Sequence, residues 1–287
     1  MNTNQTNENA KAGDPLELEI NGEKVIFRYC PPGTFLMGSP KDEQDRYDRE
    51  LHPEKIEIIM CNGVLYDDEA LHEVTLSRGF WLLETPVTEE LWIAVKHSLV
   101  DSYSDGHQPD CPVTCVRWVD CAAFIDELNA SGIAPSGMKF DFPTEAEWEY
   151  ACRAGTLTAF NAGEELTEED ANFQNSCGPR PVRSYPPNAW GLYDMHGNVA
   201  EWCKDGPDEY WDYFVYPEGP PSAIIDPEGQ TSDQFRVLRG GSWNYEAVGN
   251  GHCRSASRAF LESNAPLRGA SYHVGFRLVL RSTERAG

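Results

Sequence analysis

Arg236-Val237-Leu238-Arg239-Gly240-Gly241-Ser242-Trp243 and Val274-Gly275-Phe276-Arg277-Leu278-Val279-Leu280 carry the strongest structural signal in the chain. Both have the composition of short strands: apolar and β-branched residues, with glycines where the chain turns tightly or backbones approach closely. Between them Asn244 to His273 is rich in Gly, Ala, Ser and Asn and has no periodicity, so an exposed loop is expected there. An irregular loop held by a rigid frame is a common way to build a binding or catalytic site.

Outward from that frame, the chain is 287 residues long, 40% hydrophobic and 11% aromatic, enough to bury a core. With 20 Pro and 24 Gly, many turns and few long helices are expected. The formal charge of −24, from 23 basic against 47 acidic residues, argues against nucleic acid and anionic membranes as partners. No run of about 18 apolar residues exists, so no transmembrane segment is expected. Residues 1–15 have the composition of a flexible leader, and 16–287 are expected to form one domain. The nine cysteines are irregularly spaced and unlike a disulfide framework. Most are expected to be buried, with one or two disulfides left open.

Leu16 to Tyr29 predicts a hairpin around Asn21-Gly22. Pro31 to Ser39 predicts a turn and a short buried strand, Lys41 to Lys55 a charged loop, and His72 to Phe80 a strand. Thr88 caps a first helix carrying Leu91, Trp92 and Val95 on one face. A second follows Pro112-Val113, with Val119, Ala122, Ala123, Ile125 and Leu128 as its apolar face and Gly132 past its end. Thr144 and Glu147 make a capping box at the start of a third.

The ordered set Pro31-Pro-Gly-Thr-Phe-Leu-Met-Gly-Ser39, Glu84-Thr-Pro-Val-Thr88, Phe142-Pro-Thr-Glu-Ala-Glu-Trp-Glu-Tyr-Ala151, Gly191-Leu-Tyr-Asp-Met-His-Gly-Asn-Val-Ala-Glu-Trp202, Arg239-Gly-Gly-Ser-Trp243, Cys253-Arg-Ser255 and Gly275-Phe-Arg277 resembles the formylglycine-generating enzyme (sulfatase-modifying factor) family. The resemblance runs from about residue 25 to 280. It implies an α+β, C-type-lectin-like fold with a small antiparallel sheet, two or three helices and much irregular structure.

Enzymes of this family oxidise a cysteine with copper held by two thiolates, soft ligands for a soft ion. The matching positions here are Tyr245 and Asn250, so no copper and no copper-dependent chemistry are expected. The family's iron-dependent branch draws its histidines from an additional helical domain, and the seven histidines here show no HxH or HExxH spacing. The resemblance also implies a structural calcium site, with oxygens from Asp194, Gly197, Val199 and Glu201.

The same frame resembles the variable proteins of diversity-generating retroelements, which carry a hypervariable region between Gly-Gly-Ser-Trp and Gly-Phe-Arg. That resemblance implies a variable region at 243–277 and a non-enzymatic protein that binds a protein or other macromolecular ligand. Asn244, Tyr245, Val248, Asn250, His252, Phe260, Leu261, Arg268, Tyr272 and His273 are the expected ligand-binding residues. A monomer displayed at the bacterial cell surface is expected, lipid-anchored through an export signal outside this chain. The alternatives are a cytoplasmic protein and a modifying oxidoreductase of the family with non-copper chemistry.

Overall fold

The structure is a computed structural model that describes residues 10–48, 69, 71–98, 107–173, 177–206, 223–229, 234–244, 252–265 and 272–283. Twelve strands and four helices follow in order: β1 (Pro15–Ile20), β2 (Glu23–Cys30), β3 (Gly33–Met37), α1 (Lys41–Asp48), β4 (His72–Leu76), β5 (Phe80–Leu83), α2 (Glu89–Lys96), α3 (Trp118–Ser131), β6 (Met138–Asp141), α4 (Glu145–Arg153), β7 (Ala200–Trp202), β8 (Ile224–Ile225), β9 (Phe235–Arg239), β10 (Arg258–Glu262), β11 (Val274–Phe276) and β12 (Val279–Ser282). The class is α+β. The strands form three sheets rather than one small one: an antiparallel β1-β2-β5-β12-β6, a four-stranded β10-β9-β7-β11 and a three-stranded β3-β4-β8. Two of the pairings, β11 with β7 and β4 with β8, are parallel.

Local chemistry sets most boundaries. Asn21 and Gly22 both take positive φ (50° and 98°), as a two-residue hairpin turn requires. Thr88 Oγ1 accepts from the Leu91 N–H, and Thr144 and Glu147 exchange side-chain-to-backbone bonds of 3.1 and 2.8 Å. Helix α3 stops at Gly132 in the left-handed region (φ 73°).

Four details differ from expectation. Residues 41–48 are helix, not loop: Pro40 leads in, its carbonyl accepting from the Glu43 and Gln44 N–H groups, and Asp42 and Glu43 favour the helix start. Its one buried apolar side chain among those described is Tyr47, packed edge-on to Phe160 at 6.3 Å, so no apolar periodicity announces it. Strand β3 is half-buried, because its outer side chains face solvent. The core face of α3 is Cys121, Phe124, Ile125 and Leu128, while Ala123 is exposed. Finally, the expected loop between the two frame stretches contains β10, antiparallel to β9.

One core cluster gathers Phe27, Trp92, Phe124, Phe140, Trp202 and Phe276. Trp92 stacks on Phe124 at 5.2 Å and Phe276 meets Phe124 edge-on at 5.4 Å. A second packs Trp148, Leu82, Met195, Val237 and Phe260 under the β9 turn. Among the described residues every cysteine is a free thiol, and all but Cys177 are buried.

Candidate ligand-binding site

Strand β7 lies between β9 and β11. That order brings the two ends of the 243–277 region side by side. The Ala200 N–H donates to the His273 carbonyl at 3.0 Å, and the Trp243 N–H to that of Asn198 at 3.1 Å. Glycine is required at the seam. A Cβ on Gly241 (φ 67°) would lie 2.6 Å from Cys253 Sγ, and one on Gly275 would lie 2.7 Å from the Val113 carbonyl.

The frame is locked by buried ion pairs. Arg277, fully buried, donates Nε and Nη2 to Glu201 at 2.7 and 2.6 Å and Nη1 to the Leu83 carbonyl at 3.1 Å. Glu201 Oε2 also accepts from Trp148 Nε1 at 2.7 Å. Arg239 donates Nη2 to Glu149 and Nη1 to the Ala256 and Ser257 carbonyls, 2.6 Å each. Glu149 in turn accepts from Arg153 Nε at 2.9 Å. The neighbouring carboxylates raise the Arg239 pKa despite the desolvation that opposes it. Arg254 reaches Glu43 and Glu69 at 2.9 and 2.7 Å and covers the Tyr47 ring at 4.9 Å, tying α1 to the segment after Cys253.

On that frame Asn244, Tyr272 and His273 form a half-buried cluster over the buried Trp243. Asn244 Nδ2 donates to the Tyr272 hydroxyl. Tyr272 meets Trp243 at 5.8 Å and His273 at 4.9 Å, both edge-on. These three expected binding residues are therefore together. The others are not. Phe260 and Leu261 are 1% and 3% exposed on β10, where pairing with β9 turns them into the core, so neither is a surface contact. His252 is buried beside Arg254, and burial lowers its imidazole to about 3. Burial also lowers His273, to about 4. Tyr245, Val248, Asn250 and Arg268 lie outside the described residues. The cavity among Ala200, Gly241, His252 and Ala259 is about 10 Å³, at the lower limit for one water.

The calcium expectation meets a different arrangement. Both Glu201 oxygens are spent on Arg277 and Trp148, and the guanidinium already supplies the positive charge there. Asp194 Oδ2 accepts from the Arg183 N–H at 3.0 Å. The Gly197 N–H donates to Gly240, and a Cβ on Gly197 would lie 2.4 Å from the Asn172 carbonyl. Among the described residues no group of three or more His, Cys, Asp or Glu is gathered as a metal site.

His196, which sequence reasoning set aside, is buried with Nδ1 2.6 Å from the Cys253 carbonyl and Nε2 3.0 Å from the Asn161 nitrogen. A proton on Nδ1 satisfies both contacts, and burial lowers the ring to about 4. Cys152 Sγ is 3.7 and 4.0 Å from the two ring nitrogens, both of which have closer partners. Burial holds that thiol up at about 12, so the pair is not a nucleophile–base couple. The Arg239–Glu149–Arg153 chain and Trp148 were also unassigned by sequence reasoning. Their signal in the sequence was a tryptophan set among three glutamates, Glu145-Ala-Glu-Trp-Glu149.

Comparison with known proteins agrees with this geometry. The serine/threonine-protein kinase pkn1 of Chlamydia caviae is 41% identical over 222 residues, 74% of this chain. The chain spans only 32% of that kinase's length, and 38% of its Chlamydia trachomatis counterpart's. The sequence contains neither a His-Arg-Asp nor an Asp-Phe-Gly triplet. The formylglycine-generating enzyme of Bos taurus is 32% identical over 295 aligned positions, covering 86% of this chain and 72% of that enzyme. The structure of PvdO from Pseudomonas aeruginosa superposes with a TM-score of 0.67 at 25% identity, covering 94% of this chain and 99% of PvdO. Treponema denticola variable protein 1 superposes equally well, at 0.67, with 23% identity and 93% and 99% coverage, and so shares the fold. The profile of the sulfatase-modifying factor enzyme 1-like domain matches residues 21–282, and the chain belongs to that family.

Proposed function

We propose that this chain is a non-enzymatic binding protein that recognises a macromolecular ligand through the surface built on Asn244, Tyr272 and His273. The observation that carries the reading is their convergence. Side chains from the two ends of the 243–277 region meet, half-exposed, above a frame whose charged groups pair with one another. Tyrosine and histidine with polar tips give contact area at low entropic cost. Tyr245 and Asn250 at the copper-ligand positions support a non-enzymatic role, and so does the fold shared with Treponema denticola variable protein 1. Diversification by a retroelement and display at a bacterial surface belong to the same proposal. The buried thiols are compatible with either side of a membrane, because burial shields them from oxidation.

Two measurements test it. Selection of a displayed peptide library on the intact protein should enrich binders that Tyr272→Ala loses while its melting temperature stays put; no enrichment, or equal enrichment on Tyr272→Ala, would count against this surface. Sequencing the locus in several isolates should reveal an adenine-differing near-copy of the codons for residues 243–277 and a nearby reverse transcriptase. Absence of both removes diversification and leaves plain binding. The likeness to formylglycine-generating enzymes favours one second reading, an oxidoreductase with altered chemistry. Stoichiometric copper or iron in the purified protein, with turnover of a thiol peptide, would establish it instead.

A further inference from the structure

We propose that the cavity beside Asp194 binds a small aliphatic ammonium ion, independently of the Tyr272 surface. The cavity measures about 220 Å³, and Asp170, Tyr185, Pro186, Leu192, Asp194 and Met195 are among its walls. Asp194 is only 8% exposed, yet its carboxylate is half-used. Oδ2 accepts from the Arg183 N–H, and among the described residues nothing hydrogen-bonds Oδ1. A carboxylate that deep is costly without a partner.

Two of the nearby cations are paired elsewhere. Arg183 pairs with Glu84 at 2.7 Å, and Arg277 with Glu201 at 2.6 Å. Arg180 lies 6.0 Å from the centroid of the Tyr185 ring. Asp170 Oδ2 accepts from the Thr167 N–H and hydroxyl, adding a second negative group. His196, another wall, has both ring nitrogens engaged and brings no charge.

The remaining walls decide the ligand class. Leu192 and Met195 are 1% and 2% exposed, and Pro186 and Pro187 are also walls of the cavity. An ammonium head would meet Asp194 Oδ1, its alkyl chain the apolar wall, and the Tyr185 ring offers a cation a second favourable face. A bare divalent cation would find one free oxygen where it needs several.

The test is a titration of the full chain with n-butylammonium chloride, followed by the methyl NMR signals of Leu192 and Met195. Saturating shifts are expected, with the dissociation constant raised at least about tenfold in Asp194→Asn. Asn keeps an acceptor for the Arg183 N–H and tolerates the left-handed φ of 55° at this position. n-Butanol, of the same shape without charge, should bind at least about tenfold more weakly to the native protein, a comparison that holds even where the variant fails to fold. Non-saturating shifts, equal binding of n-butanol, or the same saturating shifts from calcium chloride at matched ionic strength would each overturn the proposal.

Discussion

The frame at Arg239 and Arg277 and the cluster at Asn244 and Tyr272 are five residues apart in sequence at each end and differ in how their polar atoms are used. Below, Arg239, Arg277, Glu149 and Glu201 are at most 1% exposed and satisfy one another or nearby carbonyls. Above, Asn244, Tyr272 and His273 are half-buried, and Asn244 hydrogen-bonds Tyr272, whose ring meets His273 edge-on. A buried ion pair tolerates no change in one partner, because the other is left charged in a low-dielectric interior. A half-exposed cluster can exchange its partners for water. Fixed geometry and replaceable chemistry are thus separated along a handful of residues.

The sharpest way to break that contrast is Arg277→Ala. It strands Glu201 at 1% exposure and should cost about 3–5 kcal/mol in urea unfolding. A loss below about 1 kcal/mol would mean the frame is not held by this pair.

Acid comes next, because the imidazoles sit where frame and cluster meet. His196, His252 and His273 are held down at about 4, 3 and 4. Their contribution is present above the unfolded histidine value of about 6.5 and is lost as pH falls toward those folded values. Burial raises Asp194 and Asp205 to about 6, which acts oppositely: stability from these two is present below about 3.8 and lost as pH rises through 6. Three large depressions outweigh two smaller elevations, so the urea midpoint should fall between pH 7 and pH 5. His252→Asn should flatten that fall, and an unchanged slope would remove His252 from the account.

Thr144→Ala probes whether α4 braces the frame on its own. Losing the capping oxygen should cost about 1 kcal/mol, read as a lower melting temperature with folding intact. The smallest effect is expected at the cluster itself. Tyr272→Ala should change stability by no more than about 0.5 kcal/mol, while Phe260→Ala, one strand away in the core, should cost about 3–5 kcal/mol.

That last pair marks where sequence reasoning stopped. The hairpin at Asn21-Gly22, the caps at Thr88 and Thr144 and the strands at both ends of the frame were legible, because each rests on chemistry within a few residues. The family was legible through its ordered motifs. Strand β10 was not: Arg258-Ala-Phe-Leu-Glu262 is short, lies among loop-forming residues and becomes a strand only through pairing with β9. Phe260 and Leu261 therefore looked available for recognition. Helix α1 was hidden in the same way, since its anchor is Arg254, more than two hundred residues later. Glu201 resembled a metal ligand, and only the three-dimensional position of Arg277 shows what it holds.

Arg239 has a consequence for how this region can change over generations. By gripping the Ala256 and Ser257 carbonyls, 17 and 18 positions downstream, it pins the far end of the loop to its origin. The entropy of closing a flexible segment grows only logarithmically, about 0.6 kcal/mol for each doubling of length. Lengthening the segment between Arg239 and Ser257 therefore adds little to the cost of closure, and Arg239 can hold its two ends together across more than one length.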